Sequence, residues 1–112
     1  MRLDNVLLVE NLDVCRYFYR TSLALGEPVI DTNYLSVFAV NEGGTLILEK
    51  NPAAYLTHAS TPGRIVLHVG DPEALAEKLK NDGIPVEKAF SLFFEDALRT
   101  SDPEGNIIWL VR

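Results

Sequence analysis

The sequence predicts an α+β domain made of two βαβββ modules in tandem, and three observations carry that prediction. Apolar spacing alternates between short strand-like runs and a helical period, in the same order twice along the chain. Val6-Leu7-Leu8-Val9-Glu10-Asn11 is matched, after a shift of about 60 residues, by Ile65-Val66-Leu67-His68-Val69-Gly70-Asp71, and Gly26-Glu27-Pro28-Val29 by Gly83-Ile84-Pro85-Val86, as a duplicated supersecondary unit requires. The 112 residues leave room for a single domain. Module one is therefore expected at about 1–50, a linker at 51–63 and module two at about 64–112.

Asn5-Val6-Leu7-Leu8-Val9-Glu10 is an apolar run that predicts a strand at about 3–10, buried on both faces. Asn11 can cap the helix that follows, because its side-chain oxygen can accept from the orphan N–H groups of the first turn. Leu12, Cys15, Tyr19 and Leu23 then recur on one face, so the helix is expected over about 12–24, with Gly26 as its terminator. Three strands follow, at 29–31, 35–40 and 45–49, with Asn41-Glu42-Gly43-Gly44 as the turn between the last two. Asn51 to Gly63 holds two prolines and no sustained period, so it reads as the linker, with a helical turn around Pro52-Ala53-Ala54-Tyr55.

Arg64-Ile65-Val66-Leu67-His68-Val69 is the next strand. Asp71 caps a second helix with Pro72 at its first position, Leu75 and Leu79 on one face and Gly83 at its end. Three further strands are expected at about 85–91, 95–101 and 106–112, the last two joined by Asp102-Pro103-Glu104-Gly105-Asn106.

With 10 Lys+Arg against 16 Asp+Glu the net charge is −6 and the pI about 4.8. Such a field repels phosphate backbones and anionic headgroups, so neither nucleic acid nor a membrane is expected as partner, and a small or cationic ligand is favoured. Cys15 is alone, which excludes an intrachain disulfide or a cysteine zinc site and suits a reducing cytosol. It shares a helix face with Leu12 and Tyr19, as a small core hydrophobe does. With His58 and His68 the only histidines, a metal site would need carboxylates. No segment approaches the roughly 18 apolar residues of a membrane span. Met1-Arg2-Leu3-Asp4 lacks a signal-peptide core, so a soluble cytoplasmic protein is expected. No Cys-His or Ser-His-Asp nucleophile set is recognisable, no catalytic residue is assigned, and Gly43-Gly44 reads as a turn rather than a phosphate loop.

Asn11-Leu12-Asp13 followed by Tyr17-Phe18-Tyr19, Val69-Gly70-Asp71 opening the second half, and Asp102-Pro103-Glu104-Gly105-Asn106 before the last strand resemble the vicinal oxygen chelate superfamily. That superfamily includes glyoxalase I, bleomycin- and fosfomycin-resistance proteins and extradiol dioxygenases. The resemblance spans nearly the whole chain. It implies a glyoxalase-like curved mixed sheet, each module a half-barrel, with a cavity between paired modules that is often completed in a homodimer. It also implies a divalent metal held by up to four side chains from the first and last strands of each module. Those positions fall on Asp4, Glu49, Arg64 and Trp109. Arg64 stands where a histidine is expected and Trp109 where a glutamate is. A guanidinium has no acceptor and an indole only an N–H donor, so neither can ligate. No metal or other cofactor is therefore expected; Asp4 and Glu49 are expected to neutralise Arg64 in an ion cluster.

Asp4, Glu49, Arg64, His68 and Trp109 are thus the candidate ligand-binding residues. His68 shares the strand face of Arg64 and is either a base at the cavity or a satisfied strand histidine. His58 reads as a solvated linker residue. Trp109 offers a flat surface for stacking, or else plugs the cavity. Phe90, Phe93 and Phe94 line a groove or make core and dimer contacts. These features point to a metal-free small-molecule-binding protein of the bleomycin-resistance type, sequestering a bulky or cationic compound in an antibiotic-resistance role. The alternatives are a diverged metal-dependent glyoxalase-like lyase or isomerase using Asp4, Glu49 and His68, and an accessory domain whose cavity Trp109 fills.

Overall fold

The computed structural model describes residues 4–41, 43–50 and 63–112. His58 and the expected helical turn at 52–55 lie outside them. Module one runs β1 (Asp4–Val9), α1 (Leu12–Tyr17), β2 (Ile30–Asp31), β3 (Leu35–Val40) and β4 (Gly44–Lys50). Module two repeats the order with β5 (Arg64–His68), α2 (Pro72–Asn81), β6 (Glu87–Lys88), β7 (Leu98–Ser101) and β8 (Ile107–Val111). Among the described residues the strands form two four-stranded sheets, ordered β1-β4-β3-β2 and β5-β8-β7-β6. In each, the first strand pairs parallel with the last and the other pairings are antiparallel.

The capping residues act as their chemistry requires. Asn11 Oδ1 accepts from Val14 N at 3.1 Å, and Asp71 Oδ1 from Ala74 N at 3.1 Å. The first helix departs from the expected 12–24. It is α-helical to Tyr17, widens into a π turn over Phe18–Ser22, and closes with Ala24 at φ 58° before Gly26 at φ 83°. The wider turn lets the adjacent Phe18 and Tyr19 both reach the core while Tyr17 stays exposed.

Leu7, Val9, Phe38, Leu46 and Leu48 of the first sheet share one core cluster with Ile65, Leu67, Ile108 and Leu110 of the second. The helices cover this face, supplying Leu12, Cys15, Tyr19 and Leu79. The expectation that β1 is buried on both faces does not hold: Leu7 and Val9 are buried, whereas Val6 is 53% and Leu8 47% exposed. Among the described residues the helices lie against only one face, which leaves Val6 and Leu8 on the other exposed. The strand expected at 85–91 is also shorter. Only Glu87 and Lys88 pair, with Arg99 and Leu98, and the segment 89–96 leaves the strand ladder.

Corresponding turns of the two modules lock them together. Asn41, at φ 46° in the β3–β4 turn, covers the edge of β5: its Nδ2 donates to Val66 O at 3.0 Å and its Oδ1 accepts from His68 N at 2.8 Å. Glu104, in the β7–β8 turn, accepts from the backbone N–H groups of Glu10 (2.7 Å) and Asn11 (2.8 Å) at the end of β1. Beneath it, Asp102 accepts from the Tyr19 hydroxyl at 2.6 Å and from the Asn106 backbone and side chain at 2.9 and 2.8 Å. The Asp-Pro-Glu-Gly-Asn turn is thus a structural clamp, and Cys15 Sγ donates into it, to Glu104 at 3.3 Å.

Candidate ligand-binding site

Strand alternation divides β5 between two environments. Ile65 and Leu67 enter the core, while Arg64, Val66 and His68 point to the face the helices leave bare. The parallel register sets Val66 beside Trp109 of β8, so the indole lies on that same face, half-buried. The 89–96 segment arches over this part of the sheet. Ser91 Oγ fixes the arch by accepting from the backbone N–H groups of Phe93 and Phe94, both at 3.0 Å, and Asp96 turns the chain back at φ 54°.

Sheet and arch border an open groove of about 410 Å³, with Arg64, Val66 and Trp109 on one side and Phe90, Phe93 and Phe94 on the other. Phe90 and Phe93 are 86% and 90% exposed, which makes them rim residues rather than core. Trp109 lines the cavity and does not fill it. A larger hollow of about 670 Å³ lies on the far side of the arch, with Glu73, Glu95 and Asp96 on its wall. Its boundary mixes Phe90, Phe94 and Leu98 with charged side chains, and Glu73 already holds Arg112 at 2.9 Å.

Of the five candidate residues the structure brings Arg64 and Trp109 together and leaves the others off this cavity's wall. Arg64 meets no carboxylate among the described residues, so the expected cluster with Asp4 and Glu49 does not form within one chain. Asp4 accepts from the Thr45 hydroxyl across the β1–β4 pair. Glu49 is exposed opposite Leu8, four residues from Asp4's own partner, or roughly 13 Å along the strand. His68 packs edge-on against Phe94, with ring centroids 5.9 Å apart, and its Nδ1 lies 3.3 Å from the Arg112 carbonyl.

The register also refines which residue of module one corresponds to Trp109. Arg64 faces Ile107, and Trp109 lies two residues further along β8. Asp4 faces Thr45, so the corresponding place on β4 is Ile47, with Glu49 one pleat beyond. A shift of two residues keeps a side chain on the same face, so alternation alone cannot detect it. The donor set then offers a carboxylate at Asp4, with an isoleucine, an arginine and a tryptophan at the other three places. No three His, Cys, Asp or Glu side chains converge among the described residues, and these donors do not fit a divalent ion.

Ser91 and Leu92 of the arch carry no signal of their own in the sequence, falling at the end of the strand expected at 85–91 and in the turn after it. The Tyr19–Asp102 bond, linking residues 83 apart, has no local signal at all.

No protein-family model and no curated protein matches the chain. Solved structures do match. A glyoxalase/bleomycin-resistance protein from Streptomyces sp. CB03234 superposes with a TM-score of 0.78 at 19% identity, covering 100% of both chains. TnmS3, an antibiotic-binding protein from the same organism, gives 0.78 at 19% identity, over 99% of this chain and 93% of that one. Lactoylglutathione lyase from Agrobacterium tumefaciens gives 0.73 at 20% identity, over 97% of this chain and 90% of that one. The paired βαβββ modules, their sheet order and these superpositions together give the chain the glyoxalase/bleomycin-resistance fold of the vicinal oxygen chelate proteins.

Proposed function

We propose that the protein binds a bulky, flat organic compound in the aromatic cavity of module two, without a metal, in the manner of an antibiotic-sequestering protein. The observation that carries this is the cavity wall itself. Arg64 and Trp109 stand at two places that metal-dependent relatives use for ligands, and here they border a hollow of about 410 Å³ otherwise lined by Val66 and phenylalanines. Apolar aromatic walls with one oriented polar group suit an organic ligand. The antibiotic-binding TnmS3 has the same fold, which supports the proposal. A metal-dependent lyase reading has a fold neighbour too, but it needs Asp4, Glu49 and His68 to converge, and within one chain they do not.

A homodimer is part of the proposal. The bare face of the first sheet exposes Val6 and Leu8 beside the half-buried Ile47 of β4, the second sheet carries the half-buried Trp109 on its own bare face, and a second copy covering them would also deepen the cavity.

The test is calorimetric titration of purified protein with a panel of planar polycyclic compounds, together with elemental analysis. Micromolar binding of at least one compound, lost at least tenfold in Trp109→Ala, is expected, since an aromatic wall contributes on the order of 2 kcal/mol or more. Absence of binding across the panel, or a stoichiometric divalent ion removed by Asp4→Ala, would sink the proposal.

A further inference from the structure

The charge that the whole chain carries and the charge that the cavity presents are opposite in sign. The chain is acidic, at −6, yet among the described residues the charged side chain on the cavity wall is the guanidinium of Arg64, with no carboxylate beside it. Arg16 holds Asp13 and Asp31, Arg99 holds Glu87 and Arg112 holds Glu73. Arg64 has no such partner among the described residues, although it starts a strand whose neighbours are apolar. Ser91, the other polar side chain on the wall, already accepts two backbone N–H groups. The arch's own carboxylates, Glu95 and Asp96, border the larger hollow instead.

We infer that the cavity selects planar aromatic ligands bearing an anionic group, a carboxylate or phenolate, with Arg64 as the counter-charge and Trp109 and the arch phenylalanines holding the ring. This deepens the small-molecule proposal above and rests on it. A guanidinium is planar, permanently charged and weakly hydrated, and it meets a carboxylate through two parallel N–H donors. Arg64 is exposed at the start of β5, so an anion on a ring held by the aromatic walls can reach it without either charge being buried unpaired. The net charge of −6 favours a cation only at long range and under weak screening. At contact, the facing group decides, and here it repels cations.

The experiment compares three ligands with the same ring and different charge: 2-naphthoate, 2-naphthamide and 2-naphthylmethylammonium. Affinities come from calorimetry, and site occupancy from the single indole N–H cross-peak that the one tryptophan gives. Naphthoate is expected to bind roughly tenfold or more tighter than naphthamide, with the ammonium compound weakest, as a charge-assisted bond of ordinary strength gives. Arg64→Gln removes the preference, bringing naphthoate down to the level of naphthamide, and Arg64→Lys restores part of it. If naphthamide or the ammonium compound binds as well as naphthoate and shifts the indole peak, anion selection is overturned while the small-molecule proposal stands. A carboxylate from a second copy neutralising Arg64 gives that same result. If none of the three binds or moves the indole peak, both proposals fall together.

Discussion

Tyr19 is fully buried, and its hydroxyl has a single outlet, the Asp102 carboxylate at 2.6 Å. Burial pushes its pKa up from the ordinary 10.0, and the charge of Asp102 and its hydrogen bond push the same way. Burial likewise raises the Cys15 thiol above its ordinary 9.0, helped by the hydrogen bond to Glu104 and its charge. In both cases the folded state holds its proton more tightly than the unfolded chain. Stability is therefore fully present below about pH 9 and falls as the pH rises through the ordinary values of 9.0 and 10.0. Urea unfolding measured from pH 7 to 11 should show that decline, and a Cys15→Ala, Tyr19→Phe double variant should flatten it. At pH 7, Tyr19→Phe alone is expected to lose about 2 kcal/mol, the worth of a buried hydrogen bond to a charged acceptor. Cys15 should resist a thiol reagent until the protein unfolds, because the thiolate is the reactive form. The sequence placed Cys15 on the core side with Leu12 and Tyr19. It gave no sign of Asp102, because that partner arrives from the other module.

At the level of elements, the ends of α1 and of β3 show what local sequence can and cannot specify. Ala24 closes the first helix at φ 58°, where an L side chain is crowded and glycine is not. Ala24→Gly should therefore stabilise the protein by about 0.5–1 kcal/mol, the reverse of the usual effect of glycine, as read from the urea midpoint. The glycine signal at Gly26 marked the right neighbourhood but missed the π turn, which exists because two adjacent aromatics both pack inward. Asn41 was legible as a turn residue, yet its grip on β5 was not. Asn41→Ala removes two hydrogen bonds to backbone groups and is expected to lose about 1–2 kcal/mol, with faster amide exchange at His68 as the local signature. The strand at 85–91 failed for a related reason. Apolar composition predicts pairing, but pairing needs a partner strand in register, and Asp96 turns the chain back before β7 begins.

Over the whole molecule, the face opposite the helices carries the functional questions. Val6 and Leu8 are too exposed for ordinary strand residues flanked by buried Leu7 and Val9, and homodimerisation is the proposed cover. Leu8→Glu should then shift the protein from dimer to monomer in light scattering at micromolar concentration while leaving its circular dichroism unchanged. A wild-type monomer at that concentration would count against the dimer. Arg64 and Trp109 were singled out from the sequence because they replace expected metal ligands, and they do meet on one cavity wall. Asp4 and Glu49, singled out as carboxylates at expected ligand positions, and His68, singled out because it shares the strand face of Arg64, do not join them, since correspondence along strands does not fix which ends of two sheets meet.

The sequence by itself determined the repeat, the order of strands and helices, both helix caps and the core-facing side of the first helix. All of these follow from periodicity and from backbone groups that need a nearby partner. Only the tertiary structure decided that β1 leaves one face bare, that the Asp102 turn clamps the first module, and that an arch of phenylalanines roofs Arg64 and Trp109. Each of those depends on contacts between residues distant in the chain, and the spacing of residues along one strand carries no record of what lies across from it.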